Sequence, residues 1–373
     1  MSTPLFISTS PSDFHILKEL VKKQSKFHKI DFLLLFQLDD DSIHDLKKYN
    51  INLIINDLKL TNKKSNSELI SKDLKKINNF FIDFIAEKSS IELVIILGDR
   101  YELLPIAQIL YLFKKIIIHI HGGEITQGSW DDSIRHSISK LSRFHFVTSN
   151  AAKNILLRMG EQKNNVFNYG SLGAENVKNI DILDKNILFK KLKIDPESKT
   201  CLLVMQPITN QDFNLDFNFN KIIKFLINNK FNQLLVSKIN SDPGSADMIN
   251  YFLNANYENL NIKLLETLGL ENYISLAKHA DLVMGNSSSF IFEFPLKNIK
   301  SILLTNRQNG RELSEQIFVS KINVRSLQVS YKNLLETKTK SLGPYYKKNT
   351  ATNIADKIYK LSTSRPKFYK VFK

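Results

Sequence analysis

The sequence predicts an α/β fold of two Rossmann-like domains, each built on a parallel sheet, with a central cleft between them. Apolar strand-like runs alternate with helical patterns along most of the chain, which is typical of parallel sheets made from βαβ units. The alternation stops in a polar stretch from about Gly173 to Ser198 and then restarts. The length of 373 residues suits two domains, because single cores rarely grow beyond about 250–300 residues.

The first half of the chain carries the elements of one such domain. Its predicted strands are Leu5–Ser8, Phe32–Leu38, Leu93–Leu97, Ile116–Ile120, Phe144–Thr148 and Val166–Tyr169. Its predicted helices are Phe14–Lys23, Ser67–Lys88, one that begins at Asp131 or Asp132, and Asn150–Met159. Aspartate is a favourable N-cap, and Ile134 and Ile138 recur at helical spacing after it. Gly160 is suited to end the preceding helix, because glycine tolerates the left-handed backbone.

The second half repeats the pattern. Its predicted strands are Cys201–Met205, Gln233–Ser237, Ile262–Leu265, Leu282–Met284 and Ser301–Leu304. Its predicted helices are Phe219–Asn228, Ala246–Asn254, Asn272–Ala280 and Ser288–Pro295, followed by a last helix over Thr352–Leu361. We therefore expect one domain over residues 1–175, a second over 176–350, and residues 351–373 packed back on the first domain.

Charge and composition exclude several classes of protein. The formal net charge is +15, but the 52 Lys and Arg residues are dispersed and form no basic tail, so we expect no nucleic-acid surface; attraction of a small anionic substrate stays open. No apolar run approaches 18 residues, which argues against a membrane span. The N-terminus lacks the features of a signal peptide, and the lone Cys201 cannot form an internal disulfide. We therefore expect a cytoplasmic protein.

Acidic, histidine and glycine residues follow two buried-type strands of the first half. The two segments are Gly98-Asp99-Arg100-Tyr101-Glu102 and His119-Ile120-His121-Gly122-Gly123-Glu124, and Asp131-Asp132-Ser133-Ile134-Arg135-His136 comes next. Ligands of open parallel sheets bind outside the carboxyl ends of the strands. Burial and like-charge proximity push carboxyl pKa values apart, as an acid and base in one pocket require. The set Asp99, His121, Glu124 and Asp131 is therefore predicted to supply acid–base groups.

Other chemistries have less support. The sequence has no Cys pair and no His-Glu-x-x-His pattern, which are common ligand spacings of metal sites. We therefore expect no metal site. The chain also lacks a Gly-x-Ser-x-Gly elbow, a Walker loop and Gly-x-Gly-x-x-Gly, which argues against hydrolase-elbow, ATPase and dinucleotide-binding proteins.

A second group of candidate residues lies in the second half. Gly285-Asn286-Ser287-Ser288-Ser289 stands between a strand and a helix, where backbone N–H groups and hydroxyls can bind a pyrophosphate or simply cap the helix. Glu293 follows one turn later and is either a ribose contact or an exposed helix acid. Residues 240–245 form a turn or a cleft loop. Arg307-Gln308-Asn309-Gly310-Arg311 offers arginines suited to phosphate.

Taken in order, these motifs resemble the hydrolysing UDP-N-acetylglucosamine 2-epimerases of bacterial sialic-acid and legionaminic-acid-type synthesis. The likeness runs from about residue 90 to 312. It implies a GT-B-like fold, a nucleotide on the C-terminal domain, and a sugar facing the N-terminal domain. It also implies a nucleotide-sugar substrate, no cofactor, a homodimer, and a role in sialic acid, capsule or lipopolysaccharide biosynthesis.

The family reaction assigns roles to matching residues. UDP leaves by elimination across C1–C2 to give a 2-acetamidoglucal; water then adds at C1 and a proton at C2, releasing N-acetylmannosamine and UDP. By resemblance, the acid–base residues are Asp99, Glu124 and Asp131. Also by resemblance, the diphosphate contacts are Ser287 and Ser288, the ribose contact is Glu293, and a nucleotide-side cation is Arg311. The remaining expected substrate-binding residues are Arg100, His121, Gln206, Asn240, Asn286, Ser289 and Arg307.

Three positions differ from the family pattern. Pro11 stands where relatives have an arginine, Gln206 where they have a histidine, and Phe290 where they have a glycine. A glutamine side chain donates a hydrogen bond but carries no proton at pH 7. These changes leave two alternatives open, a GT-B glycosyltransferase that uses the same nucleotide site and a catalytically weakened nucleotide-sugar-binding homologue. The choice between UDP and GDP, and the identity of the 2-acetamido sugar, also stay open.

Overall fold

The computed structural model describes residues 3–60, 67–126, 131–208, 214–239, 244–339, 341–364 and 366–370. The chain divides into two compact units. The first unit comprises Met1–Ile125, Trp130–Asn176 and Lys347–Lys373, and the second comprises Thr126–Ser129 and Val177–Tyr346.

The first unit contains a parallel sheet in the order β3-β2-β1-β4-β5-β6-β7. Its strands are β1 Leu5–Ser8, β2 Ile30–Leu34, β3 Ile51–Ile55, β4 Leu93–Leu97, β5 Ile116–Ile120, β6 Phe144–Val147 and β7 Val166–Asn168. The helices between and after them are α1 Pro11–Gln24, α2 Asp40–Leu46, α3 Ser67–Glu87, α4 Leu103–Leu112, α5 Asp131–Leu141, α6 Asn150–Arg158 and α7 Leu172–Lys178.

Helices cover both faces of this sheet. Phe6 and Ile95 pack into one core with residues of α1, whereas Ile7 and Ile96 pack into the other with residues of α3 and α4. Strands buried on both faces are apolar along their whole length. This is why the strand-like runs of the first half are continuous rather than alternating.

The second unit contains a parallel sheet in the order β10-β9-β8-β11-β12-β13. Its strands are β8 Thr200–Val204, β9 Gln233–Val236, β10 Asn261–Leu264, β11 Leu282–Gly285, β12 Ser301–Leu304 and β13 Ile317–Ser320. Its helices are α8 Lys185–Leu192, α9 Leu215–Asn228, α10 Ser245–Asn254, α11 Leu270–His279, α12 Ser289–Phe292 and α13 Val324–Glu336. The last helix, α14 Thr350–Ser364, packs against α1 in the first unit.

The α/β prediction is confirmed, and every predicted strand is present. The strand predicted over Phe32–Leu38 covers Ile30–Leu34 instead, and the predicted connection Gly173–Ser198 contains α7 and α8. The helix predicted over Ser288–Pro295 is interrupted. It ends at Phe292 and gives way to a 3₁₀ turn over Phe294–Lys297, because Pro295 has no N–H to continue the α-helical pattern.

Apart from α7 and α8, five elements of the described residues were not predicted, namely α2, α4, α13 and the strands β3 and β13. Both strands lie at sheet edges and are half-buried, although most of their residues are apolar. A short apolar run does not by itself distinguish a strand from part of a helix. In helix α4, most of the ten residues are buried. A helix that is apolar on all sides shows no amphipathic period. In the described part of the chain, no helix combines the length and hydropathy needed to cross a membrane.

Candidate active site

The carboxyl ends of β1 and β4 are neighbours at the point where the strand order of the first sheet reverses. In open α/β sheets, ligands bind in the crevice outside such a switch point. The loop after β1 leads through Ser10 to Asp13 at the start of α1, and the loop after β4 carries Asp99 and Arg100. The fold therefore brings these polar residues to one edge of the first sheet.

Arg135 organises the acid residues of this edge. Its side chain is 2% exposed, its Nε donates to Asp99 Oδ2 at 2.9 Å, and its Nη2 donates to the same oxygen. Its Nη1 donates to Asp132 and, at 2.8 Å, to the backbone carbonyl of Glu124. Burial opposes the guanidinium charge, but Asp99 and Asp132 outweigh it and raise the pKa of Arg135. One buried cation thus fixes the Asp99 loop and the Glu124 loop to helix α5.

His119 forms a second link to the Asp99 loop. Its Nε2 lies 2.7 Å from the carbonyl of Gly98, which can only accept, so Nε2 carries the proton. Its Nδ1 therefore accepts from the hydroxyl of Ser139 at 3.0 Å. Burial lowers the pKa of His119 to about 3, so the ring is neutral. A Cβ on Gly122 would lie 2.8 Å from both Nδ1 and the Ser139 hydroxyl, which explains the glycine.

The other predicted acid–base residues flank this centre. Glu124 is buried and accepts a hydrogen bond from the Thr148 hydroxyl. Asp131 is the first residue of α5, one turn before Arg135, and is partly exposed. His121 lies just beyond β5 at a φ of +66°, a backbone conformation that is uncommon for residues other than glycine.

Arg100 pairs with Glu102, to which its Nη2 donates at 2.6 Å. Asp13 interacts electrostatically with Arg100 and accepts a hydrogen bond from the Ser10 hydroxyl at 2.8 Å. Burial raises the pKa of Asp13 to about 6, although Arg100 and Ser10 oppose this. No sequence pattern indicated a role for Asp13, because an aspartate at a helix start usually serves as a capping residue.

We expect Asp13→Asn to stabilise the protein at pH 7.5 by about 3 kcal/mol, because each unit of pKa shift corresponds to about 1.4 kcal/mol. The folded-state pKa lies above the ordinary value of 3.8, so the folded protein binds the proton more tightly and loses stability as pH rises from about 4 to 6. Asparagine removes that loss, and the two proteins should converge near pH 4. Urea denaturation at both pH values measures the difference, with exposed Asp83→Asn as control. An Asp13→Asn effect of equal size at both pH values would contradict this explanation.

The corresponding edge of the second sheet carries Gly285 and Asn286. At Gly285 a Cβ would lie 2.0 Å from the carbonyl oxygen of Val204, so only glycine fits. The Asn286 side chain accepts from the backbone N–H of Gln206 at 2.7 Å and donates to its carbonyl at 2.9 Å. The Gln206 side chain donates to the carbonyl of Lys238 at 3.3 Å. Asn286 therefore ties the ends of β8 and β11 together.

The three serines 287–289 follow Asn286 directly. Ser288 is exposed, and the Ser287 hydroxyl lies 3.3 Å from that of Ser289. Glu293 stands where α12 ends, and burial raises its pKa while Ser289 opposes the shift. Because α12 has only four residues, the hydroxyl groups are better candidates for anion contacts than the predicted helix start. Phe290 is fully buried.

The loop after β12 is held against Asn286, in the turn that follows β11. Gln308 donates to the Asn286 carbonyl at 2.9 Å, and Arg307 approaches that carbonyl at 3.5 Å. Arg311 donates to the Gln308 side chain at 2.6 Å and to the Thr126 hydroxyl at 3.1 Å. Gln308 and Arg307 thus hold this loop beside the turn at Gly285 and Asn286, and Arg311 is linked to it through Gln308. Nothing in the sequence marked Gln308 as a site residue except its position between Arg307 and Arg311.

One predicted site residue, Asn240, lies outside the described residues. Across the residues that the structure describes, no group of three or more His, Cys, Asp or Glu side chains is arranged to hold a metal ion.

The protein is thus an α/β protein of GT-B-like fold with a polar cluster at the switch point of each sheet. The family model described as UDP-N-acetylglucosamine 2-epimerase matches residues 40–359. Since that match covers most of the chain, the chain belongs to the UDP-N-acetylglucosamine 2-epimerase family.

Two curated relatives and one solved structure are similar to the chain. The GDP/UDP-N,N'-diacetylbacillosamine 2-epimerase (hydrolyzing) of Campylobacter jejuni is 39% identical over 235 residues, which cover 62% of this chain and 61% of that protein. The UDP-N,N'-diacetylbacillosamine 2-epimerase (hydrolyzing) of Legionella pneumophila is 26% identical over 340 residues, covering 89% and 86%. The UDP-GlcNAc 2-epimerase of Methanocaldococcus jannaschii, solved with UDP-GlcNAc and UDP, matches with a TM-score of 0.73 at 17% identity over 96% of this chain and 99% of that chain. This last likeness supports the fold.

Proposed function

We propose that the protein is a hydrolysing nucleotide-sugar 2-epimerase. It would convert a UDP- or GDP-linked 2-acetamido sugar into the free 2-epimer and the nucleoside diphosphate. The observation that carries the proposal is the Arg135 cluster, in which one buried guanidinium holds Asp99 and the loop of Glu124 on the helix that begins with Asp131. Family membership and the names of these two relatives support the same reaction class.

The reaction needs a base and an acid at the sugar. Elimination removes the proton at C2 while the bond from C1 to the diphosphate oxygen breaks, and hydration returns a proton to C2 from the other face. We assign these transfers to Asp99, Glu124 and Asp131. Both donors from Arg135 use Oδ2 of Asp99, and that side chain is 31% exposed. Its Oδ1 is therefore the oxygen that we assign to proton transfer.

We assign nucleotide binding to the second unit. The Ser287 and Ser288 hydroxyls with Arg307 and Arg311 would contact the diphosphate, because arginine donates in a planar fork that matches phosphate oxygens. A carboxylate at Glu293 would accept from the ribose hydroxyls. In the first unit, Arg100 and His121 are assigned to the sugar.

The departures from the family pattern affect the leaving group. Gln206 supplies an amide where relatives have a histidine, and an amide carries no proton. Asn286 clamps the backbone of Gln206 and leaves its position well defined. Proton delivery is therefore expected to come from a carboxyl group rather than from position 206. Ser289 and Asn286 are also assigned to substrate binding.

The sugar is best identified by direct comparison. Both curated relatives are named for N,N'-diacetylbacillosamine nucleotides, so we propose a 2,4-diacetamido sugar ahead of N-acetylglucosamine. Purified protein should be incubated with UDP- and GDP-linked forms of both sugars, and the products identified by NMR. We expect free 2-epimer and nucleoside diphosphate without any acceptor. Intact donors, or free sugar with unchanged configuration at C2, would contradict the proposal.

We expect Ser288→Ala and Glu293→Gln each to weaken UDP binding by about 1 kcal/mol or more, the scale of a hydrogen bond to a charged group. Isothermal titration calorimetry measures the change. Ser71→Ala is the control, because that exposed hydroxyl donates to the carbonyl of Glu68 within its own helix. Unchanged affinity in both variants would place the nucleotide elsewhere.

A further inference from the structure

The segment 366–370 ends in a buried contact with helix α5. The Lys370 side chain is 7% exposed, and its Nζ donates to the carbonyls of Ser139 at 3.1 Å and Ser142 at 2.9 Å. These carbonyls belong to the last turn of α5 and the residue just after it. The last carbonyls of a helix lack partners within the helix, and a cation there is favourable. Lys370 therefore caps α5 from a position more than 220 residues away in sequence.

A buried carboxylate holds the lysine in place. Glu161 is 1% exposed and accepts from Lys370 Nζ at 2.7 Å, while its other oxygen lies 3.1 Å from Nε2 of buried His145. Lys140 and Arg143 are the neighbouring cations. Burial lowers the pKa of Lys370 to about 8, and Glu161 opposes the shift, so the ammonium is charged at pH 7.

An apolar contact anchors the same segment. Phe368 packs against the first-unit core and meets the ring of Tyr111 on α4 edge-on, with centroids 5.9 Å apart. Phe368 thus fixes the segment two residues before Lys370. The segment is bound at two points, one apolar and one ionic.

The capped end of α5 connects to the candidate active site by hydrogen bonds. Ser139, whose carbonyl accepts from Lys370, donates its hydroxyl to His119. His119 donates to the carbonyl of Gly98, the residue before Asp99. The other end of α5 carries Asp131, and Arg135 in its middle holds Asp99. Both routes from Lys370 therefore lead to Asp99.

We propose that Lys370 is a positioning residue, which fixes α5 and the Gly98–Asp99 turn in the geometry that proton transfer requires. The catalytic part of this proposal rests on the proposed function. A misplacement of about 1 Å caused by a change far from the chemistry can cost roughly 100-fold in rate. The loss should appear in turnover rather than in UDP affinity, because the assigned nucleotide contacts lie in the second unit.

Three variants test the proposal. Lys370→Met removes the donors and keeps an apolar stem, Lys370→Arg keeps a charged donor, and Lys367→Met changes an exposed lysine of the same segment. We expect Lys370→Met to lower kcat about 10-fold or more, while the affinity for UDP measured by calorimetry is unchanged. Lys370→Arg should recover most of that loss, and Lys367→Met should match the wild type.

Hydrogen exchange supplies a readout that does not depend on activity. In Lys370→Met, amides of α5 and of the turn at Gly98 should exchange faster, while those of β1 and of the second unit should not change. Unchanged exchange in α5, unchanged kcat, or faster exchange throughout the first unit would overturn the proposal. If the wild type has no epimerase activity, the proposed function fails, and exchange in α5 alone still decides whether Lys370 holds the helix.

Discussion

Asp99→Asn, Glu124→Gln and Asp131→Asn are each expected to reduce turnover by about 100- to 10,000-fold, the range of general acid–base contributions. Each amide keeps the shape and accepting oxygen of the side chain but cannot exchange a proton at neutral pH. Because these residues lie in the first unit, UDP affinity should persist in all three variants. Initial rates with the preferred nucleotide sugar measure turnover, and calorimetry with UDP measures nucleotide affinity, so the two can be compared in each variant.

Asp83→Asn is the matched control, since that carboxylate is exposed on α3. It should leave turnover unchanged. Wild-type turnover in all three amide variants would show that other groups move the proton.

Arg135→Met should lower the free energy of unfolding by about 3–5 kcal/mol, the cost of breaking a buried ion pair from one side. Methionine has a similar stem but provides no donor for Asp99, Asp132 or the carbonyl of Glu124. The variant should also lose turnover, because the Asp99 loop is no longer held. Urea denaturation followed by circular dichroism measures the stability.

Exposed Arg158 supplies the control for Arg135. It lies in the last turn of α6, and Arg158→Met should change stability by no more than about 0.5 kcal/mol. Equal stability in the two variants would mean that the guanidinium of Arg135 contributes little to the fold.

The sequence predicted the strands well because parallel strands buried on both faces are continuous apolar runs. It missed α4 because a buried helix has no polar face, and it missed β3 because a short apolar run does not by itself distinguish a strand from part of a helix. The break at Glu293 was also missed. Pro295 could have indicated it, because proline disrupts the hydrogen bonding of the turn before it.

The candidate site was predictable where chemistry follows a strand end. Asp99 and Glu124 stood out because acidic residues rarely follow apolar strands without a reason. Arg135 did not stand out, since its spacing from Asp132 is that of an ordinary exposed helix pair. Its burial depends on a contact with Asp99, 36 residues earlier. The role of Lys370 could not be predicted for the same reason, because its partners lie far away in sequence.

Solvent deuterium at C2 of the product tests the proposed reaction most directly. The protein should be incubated in D₂O with the preferred nucleotide sugar, and the released sugar examined by NMR and mass spectrometry. Elimination followed by hydration predicts one deuterium at C2, with inverted configuration at that carbon and release of the nucleoside diphosphate. A released sugar with hydrogen at C2 and its original configuration would show simple hydrolysis or transfer and would contradict a 2-epimerase mechanism.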